Sequence, residues 1–367
     1  MRGILAGIAA VAMSFASAHA QDQLENYAAL PRIWDAELSP SGDLLATGCS
    51  PRGTREICLY DLEGGGALSA IPAPDGGRIT GFYWVNDTYL IYTIAAFREI
   101  MTVNGQLEIT VARAASFNVR TRETVLLLDD MPGAFVPGQI VSALVDDDEH
   151  VALEAMSGRW SDRPNASRLG SDARYETTVF KVSLEDGNRD EQIFETGQNA
   201  FVVLDAHGVP VLEVRIEDET GEFGIYRVVD GASQRLYSEV FEAEYPQIPG
   251  FTDNGEAVAL DIPGVGIRRL EIATGELSDY DLSGTGLSEA SLMVDTVSRE
   301  VIGYSSQGAL PEQRFLHSDF TALREELSGI LTEAVVELRS WNQAKTKFVV
   351  IGWDVGRPPN YYLLDLQ

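Results

Sequence analysis

The feature that most constrains this chain is a recurring unit built from short β-type runs broken by Asp, Gly, Asn or Thr. In each clear unit a third run closes on a polar turn: CLYDLEGGG (58–66), SFNVRTRET (116–124), VFKVSLEDG (179–187), GIYRVVDGA (224–232), GIRRLEIATGE (266–276) and NYYLLDLQ (360–367). One weaker unit, without that ending, lies between the last two. Counted from their first apolar runs, the units start at Ile33, Ile79, Ile140, Phe201, Tyr245, Ala290 and Val335, with spacings of 46, 61, 61, 44, 45 and 45 residues. Seven units of that size, each with about four short strands, predict an all-β, seven-bladed β-propeller over 21–367. A row of sandwich domains would need blocks nearer ~100 residues joined by linkers, and no Pro/Ser/Gly-rich stretch divides the chain.

Two insertions interrupt the pattern. Near 319–328 the spacing of Phe320, Leu323 and Leu327 predicts one short helix, with Ser318 as its cap and Gly329 at its stop. The other insertion, GRWSDRPNASRLGSDAR (158–174), carries Arg159, Arg163, Arg168 and Arg174 in an otherwise acidic protein. Guanidinium groups bind carboxylates bidentately, so these four arginines are the candidate binding residues; the plainer reading is a solvated loop that offsets local negative charge. The last blade is expected to be incomplete, because a fourth strand is missing after Leu364. Either the segment 21–32 supplies that strand, or the gene product is cut relative to a longer relative.

Composition narrows the partners. The chain has 27 Lys+Arg against 56 Asp+Glu, a formal charge of −29, and 45% apolar residues. That hydrophobicity argues against disorder, and the excess of carboxylates argues against nucleic acid or an anionic membrane surface. Residues 1–20, MRGILAGIAAVAMSFASAHA, read as a cleaved secretory signal: Arg2, an apolar run from Ile4 to Phe15, then Ala18-His19-Ala20 before Gln21. The run is too short for a comfortable membrane span, and no later stretch approaches ~20 apolar residues. The expectation is a periplasmic or secreted protein with no membrane span after cleavage.

Cys49 and Cys58 are the only cysteines. Pro51 and Gly53 mark a turn between two apolar stretches, and a hairpin of 44–49 with 57–62 would set the sulfurs across from one another. A short disulfide is then geometrically possible; free thiols are the alternative.

Residues for catalysis or metal binding are hard to find. A nucleophile elbow needs G-x-S-x-G, which is absent; GYSSQG (303–308) and GASQR (231–235) lack the second glycine at the right spacing. Beyond the leader the histidines are His150, His207 and His317, each in a different unit and without metal-ligand spacing. The run Asp146-Asp147-Asp148-Glu149 lacks the alternation of a calcium loop and reads as a solvated turn. GVGIRR (264–269) and GTGLSE (284–289) read as turns rather than phosphate loops. No cofactor and no catalytic residue is expected.

Three stretches resemble a known family: YAALPRIWDAELSPSGDLLA (27–46), FLHSDFTALREEL (315–327) and VVELRSWNQAKTKFVVIGWDVGRPPNYYLLDL (335–366). Together they resemble the N-terminal propeller of exported bacterial peptidases of the prolyl oligopeptidase family, especially the acylaminoacyl-peptidase-like branch. Their order matches: an opening blade with an S-P-S-G-D turn, a helix before the last blade, then a Y-Y-L-x-D strand. In that family an α/β-hydrolase domain with a Ser-Asp-His triad follows the propeller, so no catalytic residue carries over to this chain. The resemblance implies an accessory role, in which the propeller restricts access to short or unstructured peptides, with a hydrolase domain or a peptide as partner. The rival is a free-standing periplasmic protein-binding propeller resembling TolB. A propeller lyase would bring a histidine-rich metal site, which this sequence lacks.

Overall fold

Within each sheet every strand pairs antiparallel with the one before it, because short alternating runs separated by polar turns favour pairing of sequence neighbours. The computed structural model describes residues 30–51, 53–102, 105–131, 140–159, 174–197, 199–280, 290–295, 297–306 and 310–366. These form a seven-bladed β-propeller. The leader reading (1–20) and residues 21–29 lie outside the described residues.

Blade 1 comprises β1 (Ile33–Leu38), β2 (Leu44–Cys49), β3 (Glu56–Asp61) and β4 (Gly66–Pro72). Blade 2 comprises β5 (Gly77–Trp84), β6 (Tyr89–Thr102), β7 (Gly105–Asn118) and β8 (Thr124–Leu126). Blade 3 is β9 (Ile140–Ser142), β10 (His150–Arg159), β11 (Arg174–Ser183) and β12 (Arg189–Glu195), and blade 4 is β13 (Ala200–Leu204), β14 (Pro210–Glu217), β15 (Glu222–Val229) and β16 (Ala232–Val240). Blade 5 holds β17 (Phe251–Thr252), β18 (Ala257–Ile262), β19 (Gly266–Glu271) and β20 (Leu277–Asp279). Three strands are described in each of the last two blades: β21 (Ala290–Val294), β22 (Val301–Ser306) and β23 (Gln313–Phe315), then β24 (Val335–Trp341), β25 (Lys347–Trp353) and β26 (Asn360–Asp365). The helix α1 (Ser318–Ile330) lies between them.

The unit starts fall at or within two residues of six of the seven inner strands. Blade 5 departs: its inner strand begins at Phe251, and Tyr245 lies in the connection, packed on Phe223 of blade 4. Gln247 in that connection bridges to Asp261, which gives an apolar stretch a role outside the regular ladder. The helix starts at Ser318 itself, since the backbone is still extended at His317, which takes the cap position; the Ser318 hydroxyl turns to Asp319. Gly329 continues the helix, which stops when Leu331 turns extended. Its inner face is as spaced, with Phe320 and Leu327 buried and Leu323 partly buried against Phe348 and Leu338.

The core is a series of layers between blades. Ile57 and Leu59 of blade 1 meet Ile79, Trp84 and Leu90 of blade 2, all at most 5% exposed. Each such aliphatic side chain contributes about 1.5–3 kcal/mol by leaving water. Trp34 stacks edge-on against Phe82 and lies so close over Gly48 that a Cβ there would stand 2.2 Å from the ring. Cys49 and Cys58 are bonded, Cα atoms 5.9 Å apart. They are diagonal rather than opposite, since Cys49 is in register with Glu56 and Cys58 with Thr47.

The ring closes where blade 7 meets blade 1. Asn342, only 2% exposed, gives its amide to the Ser41 carbonyl and Thr346 hydroxyl while its own carbonyl accepts from the Thr346 and Lys347 backbone. Gln343 N donates to Pro40 O at 2.8 Å, and Lys347 Nζ donates to Gly42 O at 3.1 Å. Gly42 sits at φ +80°, and a Cβ there would fall 2.9 Å from that of Asn342, so the S-P-S-G-D turn needs glycine for both conformation and contact.

Two outcomes check this account. Replacing Cys49 and Cys58 together by Ser removes a loop constraint about ten residues long, and denaturant unfolding should show a loss of about 2–3 kcal/mol. Asn342→Ala leaves buried partners unmade at the seam, with an expected loss of about 2–3 kcal/mol and no change in the far-ultraviolet signature of strands.

Candidate functional site

The inner strands on either side of the seam, IWDAEL and VVELRSW, carry charged residues between their buried apolar ones. Ala36 and Leu38 pack with Val349, while Asp35 and Glu37 alternate with them. A bulge between Ile33 and Asp35 and another between Leu338 and Ser340 shift the two strands locally. They bring Arg339 to Asp35 as a bidentate pair, Nε to Oδ1 and Nη2 to Oδ2, both at 2.9 Å. Leu38 N donates to the Ser340 hydroxyl one step further along.

Glu37 is the unusual member. Burial and the neighbouring Asp35 push its carboxyl up to about 8, with Arg339 only partly opposing them. Its backbone carbonyl accepts from Trp84 Nε1 at 3.1 Å, which ties β1 to β5. Tyr83, also on β5, has its hydroxyl shielded from solvent and unpartnered among the described residues. Burial and then Glu37 drive that phenol well above its ordinary value. On the blade 7 side, Trp353 Nε1 donates to Glu337 at 3.2 Å, and Tyr361 is raised by burial and by Asp35. Residues of three blades thus form one polar patch along the seam, Asp35, Glu37, Arg339, Tyr83 and Tyr361, with Glu337 two residues from Arg339 on β24. With Asp35 paired to Arg339 and Glu37 and the phenols holding their protons, the patch offers hydrogen-bond donors and suits a hydrogen-bond-accepting group such as a peptide carbonyl.

A second polar site lies at the lower face, taken as the side bearing the turns between first and second strands. There a cavity of about 480 Å³ between blades 3 and 4 is lined by Asp146, Asp147, Lys181, Glu191, His207 and Pro210, among others. Burial disfavours the ionised form of Asp147, yet hydrogen bonds from Lys181 and His150 hold its carboxyl at about 2. His150 spans Asp147 and Asp190 at 2.8 and 2.7 Å, and His207 meets Asp146 at 2.6 Å. The run 146–149, read as a solvated turn, is therefore an anchored one. Among the described residues no group of His, Cys, Asp or Glu could hold a metal ion.

The arginine insertion follows β10 in the chain. Arg159 and Arg174 are partners in register as the last described pair of the β10–β11 hairpin, and Arg163 and Arg168 lie outside the described residues. This hairpin and β6–β7 belong to adjacent blades, and both run past their neighbours on the upper face: β5 pairs with β6 only as far as Ala96, and β12 with β11 only from Thr178. The β10–β11 hairpin belongs to blade 3, whereas the seam residues belong to blades 1, 2 and 7. Sequence reading passed over Asp35, Glu37 and Arg339, although charged residues alternating with Ala36, Leu38 and Leu338 in inner strands are a legible signal.

No protein-family model matches the chain, and no curated protein does. Solved structures do. Prolyl oligopeptidase B from Galerina marginata, bound to a 35mer hydrolysis and macrocyclization substrate, is similar at 10% identity and a TM-score of 0.51, over 97% of this chain and 52% of that one. An acylaminoacyl peptidase in complex with Z-Gly-Gly-Phe-chloromethyl ketone is similar at 12% identity, TM-score 0.46, over 91% and 51%. The C-terminal WD40 domain of Sif2 follows at 12% identity, TM-score 0.40, over 90% and 81%. The chain spans about half the length of the two peptidases, and the likeness is one of fold.

Glu37 makes the rim pH-sensitive. A carboxyl that keeps its proton longer when folded than unfolded lowers stability progressively as pH rises from about 4.5 to about 8. The melting temperature of the unmodified protein should therefore fall between pH 5 and 8.5, and Glu37→Gln should flatten that fall; equal slopes would contradict the assignment.

Proposed function

We propose that this chain is a noncatalytic propeller of the kind that accompanies an exported prolyl oligopeptidase-type serine peptidase. It would hold or screen peptide segments at its upper face and inner rim for a hydrolase domain, without hydrolysing peptides itself, in the periplasm or outside the cell. The observations that support this reading are the acid-bearing inner strands at the seam, Asp35, Glu37 and Glu337 with Arg339, and the two overlong hairpins on the upper face of blades 2 and 3. Inner strands that served only packing would have little use for a carboxyl held at about 8. Arg159, Arg163, Arg168 and Arg174 would extend the contact surface along the β10–β11 hairpin toward carboxylate-bearing segments. A second reading, a free-standing protein-binding propeller resembling TolB, draws on Phe97, which is 60% exposed on the β6–β7 hairpin.

Purified protein incubated with chromogenic peptides should show no turnover above a boiled control. Fluorescence anisotropy should detect binding of unstructured peptides, weakened about tenfold or more in a Glu37→Gln, Glu337→Gln variant. Turnover that persists through repurification overturns the reading; failure to bind any peptide, with capture of a folded envelope protein instead, favours the second.

A further inference from the structure

A cavity of about 300 Å³ lies at the upper end of blade 7, lined by Glu333, Trp353, Asp354, Arg357, Pro358 and Asn360, among others. At the small end of the ~300–1,000 Å³ usual for ligand sites, it fits one long side chain rather than a folded partner. The chain builds it from the segment between α1 and β24, the end of β25 and the return to β26. Gly352, beside Trp353, leaves the space that Glu333 uses: a Cβ there would stand 3.0 Å from the Glu333 Cδ. Apolar side chains flank the cavity in the chain. Val355, next to Asp354, and Ile330, two residues before the lining Thr332, are 72% and 66% exposed, more than any other large apolar side chain among the described residues.

The polar groups of the cavity are held in place by the fold. Trp353 Nε1 donates to Glu337 at 3.2 Å, so an inner strand sets the indole. Glu333 Oε1 accepts from the Tyr362 hydroxyl and from Asn360 Nδ2, the latter at 2.9 Å, and these bonds hold its carboxyl below the usual carboxylate range. Asp354 Oδ1 accepts from Ala334 N at 3.0 Å. Against these two fixed carboxylates the lining has one cation, Arg357, whose Nη1 stands 3.5 Å from Asp354 Oδ2 on a side chain 78% exposed. An ion pair that long and that open to water contributes little, so a better-placed cation can displace it.

We propose, resting on the peptide-holding role above, that this cavity is the subsite for an arginine side chain of the bound peptide, its guanidinium stacked on Trp353 and paired with Glu333 and Asp354 in place of Arg357. Indole is the best of the aromatic faces for a cation, and a planar guanidinium can stack on it while its fork meets a carboxylate. A lysine ammonium, a compact point charge, would use the carboxylates and engage the ring less. Charge on the larger scale agrees. A formal charge of −29 draws cationic segments toward the chain, and the cavity gives one of them a fixed seat. Val355 and Ile330 are then available to apolar residues on either side of that arginine.

Fluorescence anisotropy on the purified full chain tests this with an unstructured peptide carrying one arginine and with its citrulline counterpart, equal in shape but uncharged. The arginine peptide should bind about tenfold tighter or more. Trp353→Ala and Asp354→Asn should each erase most of that difference, while Arg357→Gln, which frees Asp354, should tighten the arginine peptide about two- to threefold. Glu63→Gln, an equal charge change on the exposed turn between β3 and β4, should leave the difference unaltered. Should Trp353→Ala fail to fold, the opposed shifts of Asp354→Asn and Arg357→Gln carry the same test. Equal binding of the two peptides overturns the subsite and leaves the peptide-holding role standing. An arginine preference that survives both Trp353→Ala and Asp354→Asn also overturns it, as general attraction to an acidic surface. Binding of neither peptide overturns both readings.

Discussion

The ring depends on a seam that is polar rather than apolar. Six of the seven blades follow a predecessor in sequence, so their packing is favoured by short connections; blade 7 must find blade 1 across some 300 residues of chain. What holds it there is a set of directed contacts: the buried Asn342 amide between two turns, Lys347 on the Gly42 carbonyl, and the Arg339–Asp35 fork. A small apolar cluster of Ala36, Leu38 and Val349 sits beneath them. Hydrogen bonds of this sort specify one register, where apolar layers alone would tolerate sliding.

The same contacts generate the chemistry at the inner rim. Arg339 neutralises Asp35 at short range, and its partial reach toward Glu37 leaves the second carboxyl desolvated and proton-bound near neutral pH. Structural closure and potential recognition therefore share residues, so that a charge arriving at the rim would also be felt by the seam. The lower groove between blades 3 and 4 behaves differently. Its acids are matched by Lys181, His150 and His207, which makes it a fastening between turns.

Much of this fold was legible in the residues. Repeated third-strand endings, from CLYDLEGGG to NYYLLDLQ, mark real third strands, and Phe320, Leu323 and Leu327 mark the inner face of α1. These are local signals, each carried by a few adjacent residues. The errors came where tertiary contacts overrode local preference: Tyr245 serves blade 4 as a packing residue, Gly329 stays helical, and Cys49 bonds a diagonal neighbour. The site at the seam was missed because its members are 35, 37, 83, 337, 339 and 361, separated by almost the whole chain, and no spacing rule connects them.

Sequence by itself determined the number of blades, the all-β class, the helix insertion and the strongly acidic charge, because alternation, turn chemistry and composition act over a few residues at a time. Tertiary structure alone decided which charges meet. Circular closure places the first and last blades side by side, and that juxtaposition, through burial and the proximity of Asp35 to Arg339, makes Glu37 an acid that keeps its proton to about 8. Such a property belongs to a place in the ring, where solvent is excluded from several strands at once, and to no stretch of residues read in order.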